Sequence, residues 1–239
     1  YQQLLLICGV FGTTISPYLF FWQTAQEVEE RILQNKQKHS SVHQSITQKA
    51  IRKMRIDVWS GMFLSNVVMF FIILTCGATL FTTGTNINSA ADAAQALKPI
   101  AGQNAFILFA IGIIGTGMLA VPVLAGSASY ALAESFRWKA GLYRKLKQAY
   151  PFYGTIIIAM LVGMSLNFFG FNPIKVLIYS AILNGIVAPI FLFFIIKLSS
   201  NKVVMGKWTN PVPITVLGWL ITLLMTVVAI LGIIGWIKS

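Results

Sequence analysis

Six long runs of apolar residues, separated by shorter polar segments, dominate the pattern of this chain. Each run holds about 20 mostly apolar residues, which is the length that a helix needs to cross a bilayer. The runs are continuous rather than alternating, which favours membrane helices over the strands of a membrane barrel. The pattern therefore predicts six transmembrane helices, at about 4–22, 58–82, 105–133, 152–170, 174–196 and 214–237.

The composition agrees with this membrane assignment. The chain has 239 residues, of which 56% are hydrophobic and 10% are charged, whereas soluble domains carry about 25% charged residues. We therefore expect an all-α, multi-pass protein of the cell membrane, with the lipid bilayer as its main partner. We predict one membrane domain fragment over residues 1–239, in which Pro122 breaks the third helix.

The basic residues indicate an orientation. The formal net charge is +12, and 15 of the 18 Lys and Arg residues lie in three alternate loops, at 23–57, 137–150 and 197–213. Lys98, Lys175 and Lys238 are on the other side. The positive-inside rule makes the three basic loops cytoplasmic, and we expect the charged part of loop 23–57 to form solvated helices. Since the charge is divided among juxtamembrane loops, nucleic acid is not a predicted partner.

Catalytic chemistry has no support in the predicted spans. None of the six acidic residues or two histidines falls in the middle of a span. An intramembrane enzyme needs a nucleophile with a base, or a metal site. We therefore predict no enzyme activity, no catalytic residue and no cofactor.

The first apolar run contains the most informative segment, Gly12 to Tyr18. Pro17 removes a backbone donor and follows a glycine, two threonines and a serine. Helix-breaking residues are tolerated in a span where carbonyls line a cavity or meet a partner, and secondary transporters build ion sites in this way. Such oxygen atoms suit hard cations. On spacing alone, an ion site and a packed proline kink are both open.

The fifth run contains a second segment of this kind. Asn184 and Gly185 precede Pro189, which predicts another irregular stretch of helix. An asparagine in a membrane helix bonds either to a neighbouring helix or to a ligand. Both roles stay open for Asn184.

Several segments together resemble one family. The stretch 12–18, with Phe20-Phe21-Trp22-Gln23 after it, resembles the broken sixth helix of the Nramp divalent-metal transporters; 108–117 resembles their eighth helix and 183–189 their tenth. The resemblance implies a fold of five plus five helices in inverted repeats. These six spans would then be helices six to eleven. The partner would be an absent N-terminal half that carries the family's metal-binding Asp and Asn.

One departure from the family pattern changes the expected cargo. Ser16-Pro17-Tyr18 stands where typical members have Met-Pro-His. Soft ligands select transition metals, whereas oxygen and water suit magnesium, which gives up its waters reluctantly. The serine therefore implies Mg²⁺, with Mn²⁺ second, as in the Nramp-related magnesium transporters. Tyr18 replaces a histidine implicated in proton movement, which implies weak or absent proton coupling.

The resulting hypothesis is a secondary transporter of divalent cations that works by alternating access. By resemblance, Thr13 supplies a backbone carbonyl to the metal, Ser16 stands for the methionine and Tyr18 for the histidine, and Asn184 borders the ion path. An amino-acid/cation symporter of the same fold and a non-transporting membrane scaffold are the alternatives. The first helix of the full-length protein distinguishes the carriers, because an Asp-containing motif favours metal and a Gly-rich unwound stretch favours amino acid.

Overall fold

The computed structural model describes residues 2–15, 17–37, 47–81, 89–95, 97–166 and 168–237. Within these ranges the chain is helical and contains no strand, which confirms the all-α prediction. The α-helices are α1 (Gln2–Thr14), α2 (Pro17–Gln37), α3 (Gln48–Cys76), α4 (Ala90–Gln95), α5 (Lys98–Ala101), α6 (Ala105–Ser135), α7 (Tyr150–Ser165), α8 (Pro173–Ser199), α9 (Lys202–Met205) and α10 (Val212–Ile237).

Five helical segments in the described ranges are long and apolar enough to cross a membrane. The first comprises α1 and most of α2, and the others correspond to α3, α6, α8 and α10. The fourth predicted span, at about 152–170, is shorter than expected. Its helix α7 has 16 residues, or about 24 Å at 1.5 Å per residue, which is less than a hydrocarbon core of about 30 Å.

The short length of α7 has a local cause. Residues 168–170 form a turn, in which Gly170 has φ = +73°, a value that glycine adopts without strain. The next helix, α8, then begins at Pro173, and the Asn172 side chain accepts hydrogen bonds from the Ile174 and Lys175 amides at 2.9 and 3.3 Å. Because α7 ends at Ser165 and this turn follows it, the fourth helix is shorter than hydropathy predicted, and the Asn172 cap starts the next helix.

Two prolines do not break their helices. The sequence predicted a break at Pro122 and an irregular stretch near Pro189, but α6 and α8 run through these positions without interruption. A proline in a membrane helix removes one backbone hydrogen bond, and neighbouring groups can compensate for that loss. Both expectations were therefore wrong, whereas the break before Pro17 is confirmed by the separate helices α1 and α2.

The chain divides into two compact units, Tyr1–Phe21 with Leu166–Ser239, and Trp22–Ser165. In the first unit, α1, α8 and α10 each pack against the other two. The contact between α8 and α10 is close at Gly218, where an added Cβ would lie 3.1 Å from the Ile196 side chain. Small residues at helix crossings are typical of membrane proteins, in which packing rather than the hydrophobic effect drives helix association.

In the second unit, α7 and α4 pack against α6. A cluster of buried side chains forms around Tyr130 of α6 and Phe152 of α7, whose ring centroids are 4.8 Å apart. Trp22 packs edge-on against Tyr130 at 6.1 Å, in the space left by the missing side chain of Gly126. Helix α3 has no buried residue. After a charged first third it is mostly apolar on all sides, as expected for a helix that faces lipid or other helices. The prediction of one membrane domain over 1–239 stays a prediction.

Candidate metal path and a buried carboxylate

The break in the first span lies between Thr14, where α1 ends, and Pro17, where α2 begins. The Ile15 amide, next to the end of α1, donates to the Phe11 carbonyl at 2.9 Å. Pro17 has no N–H, so position 17 cannot supply a helical hydrogen bond four residues back, at Thr13. Pro17 therefore marks a position where this helix can be interrupted, and the chain is interrupted there.

Both threonine hydroxyls before the break bond to the helix itself. Thr13 Oγ1 and Thr14 Oγ1 donate to the Val10 carbonyl at 2.7 and 3.0 Å. Hydroxyls that bond back to a carbonyl one turn earlier commonly bend a helix. They leave a cluster of oxygen atoms near the break, which is the ligand type that hard divalent cations prefer.

Two glycines bring the end of α1 against the middle of α8. A Cβ added to Gly12 would lie 2.8 Å from the Gly185 Cα and closer still to the Ala181 carbonyl oxygen. A Cβ added to Gly185 would lie 2.9 Å from the Cys8 sulfur. The two backbones therefore meet with no room for a side chain, and this crossing fixes α8 beside the residues that precede the break.

Helix α10 meets the other two helices at the same level. A Cβ added to Gly232 would lie 3.1 Å from both the Cβ and the sulfur of Cys8. Cys8 is buried as a free thiol, and its sulfur lies 3.9 Å from the Ile182 carbonyl. Cys8 thus acts as a small packing residue between α8 and α10.

The predicted path residues are placed unevenly. Thr13 is exposed at the end of α1, while Tyr18 in the first turn of α2 and Asn184 in α8 are half-buried. Asn184 directly precedes Gly185, so the glycine crossing brings its turn of α8 next to α1. Ser16 lies outside the described residues, and its predicted role stays a prediction.

Acidic, histidine and cysteine ligands do not gather in the described part of the chain. No group of three or more such residues could hold a metal ion there. An open groove of about 560 Å³ along the start of α8 is also unsuited to a cation, because its lining is mostly apolar and includes Lys175. Within the part of the chain that the structure describes, a metal path would therefore depend on hydroxyl, amide and backbone oxygens.

Sequence reasoning missed a buried carboxylate in the second unit. Glu29 of α2 was expected on a solvated helix, but it is only 8% exposed. Its Oε1 accepts from the Tyr130 hydroxyl at 2.5 Å and the Leu142 amide at 3.0 Å, and its Oε2 accepts from the Tyr143 amide at 3.2 Å. Three donors make the burial of this charge tolerable.

The buried carboxylate holds the connection between α6 and α7, residues 136–149, which we call the α6–α7 connection. Gly141 has φ = +132°, and an added Cβ would lie 2.6 Å from the Tyr143 ring and 3.0 Å from Glu29 Oε1. Tyr153 of α7 donates its hydroxyl to the Arg144 carbonyl at 2.8 Å. Gly141 was the one sequence signal for a close approach in this basic loop, but the sequence does not indicate which carboxylate lies opposite it.

Comparison with known proteins adds independent information. The family model for natural resistance-associated macrophage protein-like (Nramp) proteins matches residues 1–235. The divalent metal cation transporter MntH of Deinococcus radiodurans is 25% identical over 236 residues, covering 97% of this chain and 49% of that protein. Proteins of the same name from Mycobacterium leprae and Bacillus subtilis are each 23% identical, covering 94% of this chain and 49% and 48% of their own lengths. The chain spans about half the length of the curated relatives it matches.

Proposed function

This chain belongs to the Nramp family, and from that premise we propose that it forms the second half of a carrier for divalent metal cations. The observation that carries the proposal is the broken first span, with α1 ending at Thr14 and α2 beginning at Pro17. A break in the middle of an apolar span exposes backbone and hydroxyl oxygens where an ion can replace its water. The relatives named as divalent metal cation transporters support the cargo class.

The cargo that we propose is Mg²⁺, with Mn²⁺ as a second substrate. Thr13 would contribute its backbone carbonyl, and Ser16 a hydroxyl or a bound water. Tyr18 and Asn184 would border the path. An all-oxygen environment suits a hard cation that keeps part of its hydration shell. The remaining ligands would come from the N-terminal half of the carrier.

Alternating access would use the rigid contact at the α1–α8 crossing. Helices that meet backbone to backbone, as at Gly12 and Gly185, move together rather than slide past each other, because packed interfaces have discrete arrangements. The interruption after Thr14 would then allow α1 and α2 to change their relative direction. In this mechanism the loops 23–57, 137–150 and 197–213 face the cytoplasm.

The test is flux of Mg²⁺ and Mn²⁺ into liposomes that contain the full-length protein. We expect Mg²⁺ uptake by the native protein and a shift of preference toward Mn²⁺ in Ser16→Met, because the thioether is a soft ligand. Ser165→Met, at the end of α7, is the matched control and should leave the preference unchanged. A pH dye inside the liposomes should report no acidification during uptake.

Several outcomes contradict the proposal. Absence of flux for both Mg²⁺ and Mn²⁺ would exclude a divalent-metal carrier. Sodium-driven amino-acid uptake by the same liposomes would favour the symporter. Equal shifts in Ser16→Met and Ser165→Met would remove position 16 from the ion path. Internal acidification that depends on Mg²⁺ would show that Tyr18 does not prevent proton coupling.

A further inference from the structure

The α6–α7 connection directly follows a candidate membrane span in the chain. It joins α6, which belongs to a candidate span over Gly102–Ser135, to the apolar helix α7. Only 14 residues separate Ser135 from Tyr150, and they fold back against α2 and α7 within their own unit. The connection therefore lies at the end of a candidate membrane span, where lipid headgroups are expected.

The inner face of this connection is fixed. Glu29 accepts hydrogen bonds from two successive amides, those of Leu142 and Tyr143. The Arg144 side chain bonds to the Ala140 carbonyl at 3.0 Å, and Tyr153 bonds to the Arg144 carbonyl. Hydrogen bonds on the inner side hold the backbone in one shape, so that the outward side chains form a preorganised surface.

The exposed side chains of the connection combine positive charge with apolar groups. Phe136 is 61% exposed and Leu146 51% exposed, and the ring of Phe136 stacks on Trp138 with centroids 5.0 Å apart. Four basic residues of the connection are also exposed: Arg137, Lys139, Lys145 and Lys147. Exposed apolar groups next to Lys and Arg are typical of surfaces that lie in a membrane interface.

The charge of this surface is not balanced along the chain. The exposed Glu134 at the end of α6 can offset at most one of the four exposed basic charges, no acidic residue follows it in the sequence, and the carboxylate of Glu29 already accepts from three donors. Phosphate groups of anionic lipids are the complementary partner at this depth, since juxtamembrane basic clusters attract them. Aromatic and leucine side chains would at the same time enter the acyl boundary.

We propose that the α6–α7 connection is a binding surface for anionic phospholipid headgroups, held in shape by the buried carboxylate of Glu29. The lipid phosphate contacts Lys139, Lys145 and Lys147, while the Phe136–Trp138 stack and Leu146 anchor the connection in the interface. This inference goes beyond metal transport and does not rest on the identity of the cargo.

The experiment compares thermal unfolding of the full-length protein in nanodiscs of phosphatidylcholine alone and of phosphatidylcholine with phosphatidylglycerol. We expect the anionic lipid to raise the unfolding midpoint of the native protein. Lys145→Gln/Lys147→Gln should lose about half of that rise, while leaving the midpoint in neutral lipid unchanged. The matched control, Lys98→Gln/Lys175→Gln, removes the same charge from exposed positions outside the connection and should keep the full rise.

Salt and free phosphate distinguish a lipid-binding surface from a site for a soluble anion. The rise should shrink as salt increases from about 0.1 M to about 1 M, because screening shortens the range of charge interactions. An equal loss in both double variants, or no rise in the native protein, would overturn the proposal. So would a rise produced by inorganic phosphate in neutral nanodiscs, because the ligand would then be a free anion.

Discussion

The two compact units are held together in different ways. In the first unit, α1, α8 and α10 meet through missing side chains: Gly12 and Gly185 face atoms that leave no space for a Cβ, and a Cβ added to Gly232 would lie 3.1 Å from the Cys8 sulfur. In the second unit, a buried charge on Glu29 joins α2 to α6 and to the α6–α7 connection. One unit depends on shape and the other on satisfied polar groups.

This difference matches what each unit is expected to do. Backbone contacts between apolar helices contain no polar group that must be satisfied, so they keep their strength in lipid. A carboxylate with three donors is costly to bury and therefore specifies one arrangement of its neighbours. The first unit thus provides a stiff frame beside the break at Pro17, and the second provides a fixed surface loop.

The largest expected effect comes from disrupting the close backbone contact between α1 and α8 in the first unit. Gly12→Ala places a methyl group against backbone atoms of Ala181 and Gly185, which cannot rotate away. We expect the free energy of unfolding to fall by about 3 kcal/mol, at the upper end of overpacking costs. Thermal unfolding in detergent measures the loss, and amide exchange should increase in α1 and α8.

Gly9→Ala is the matched control, one turn earlier on the same helix. Its added Cβ would lie 3.5 Å from the Ile182 side chain, an ordinary contact distance. It should therefore leave the unfolding midpoint close to the native value or raise it, since alanine favours helix. Equal losses in Gly9→Ala and Gly12→Ala would show that the crossing is not set by the backbone approach.

The second effect tests the polar unit. Glu29→Gln keeps the size of the side chain. However, the amide nitrogen of the glutamine must face at least one of the three groups that donate hydrogen bonds to the native carboxylate. We expect a loss of about 2 kcal/mol, because a buried donor is left unsatisfied and two charge-assisted bonds become neutral. Glu27→Gln, two residues earlier on α2, is the control and should change stability little.

The region that responds distinguishes this outcome from general destabilisation. Amide exchange in Glu29→Gln should rise first at Leu142 and Tyr143, whose N–H groups bond to the carboxylate. Exchange in α8 and α10 should stay at native levels, because those helices are held by close packing at glycines and not by hydrogen bonds to Glu29. Uniform exchange throughout the chain would contradict the contrast between the two units.

The sequence predicted the features that depend on local rules. Hydropathy located the membrane helices because a bilayer leaves few other structures possible, and Pro17 located the break because it lacks a donor for the preceding turn. Pro122 carried the same local signal but did not interrupt α6. A proline thus marks where a helix can break, and tertiary packing decides whether it does.

The features that the sequence did not predict depend on distant partners. Glu29 bonds to amides 113 and 114 residues away, and nothing near it in the sequence distinguishes it from Glu27 or Glu30. Gly12 was recognised as part of the broken segment, but its contact with α8 joins residues about 170 positions apart. Of the predicted path residues, Thr13 and Asn184 are the two that the structure relates to each other, because each is next to a glycine of the Gly12–Gly185 crossing.

The smallest expected effect comes from Tyr153→Phe, which removes the hydroxyl that bonds to the Arg144 carbonyl at 2.8 Å. We expect a loss of about 1 kcal/mol, the usual net value of one hydrogen bond, and no loss in the control Tyr150→Phe, whose side chain is exposed. Thermal unfolding of the double variant with Glu29→Gln sharpens the comparison. If both residues hold the same connection, the loss of stability in the double variant should be smaller than the sum of the two single-variant losses. The first substitution would already have released the connection, so the second would have less to remove. Strict additivity would mean that Glu29 and Tyr153 act on separate parts of the second unit.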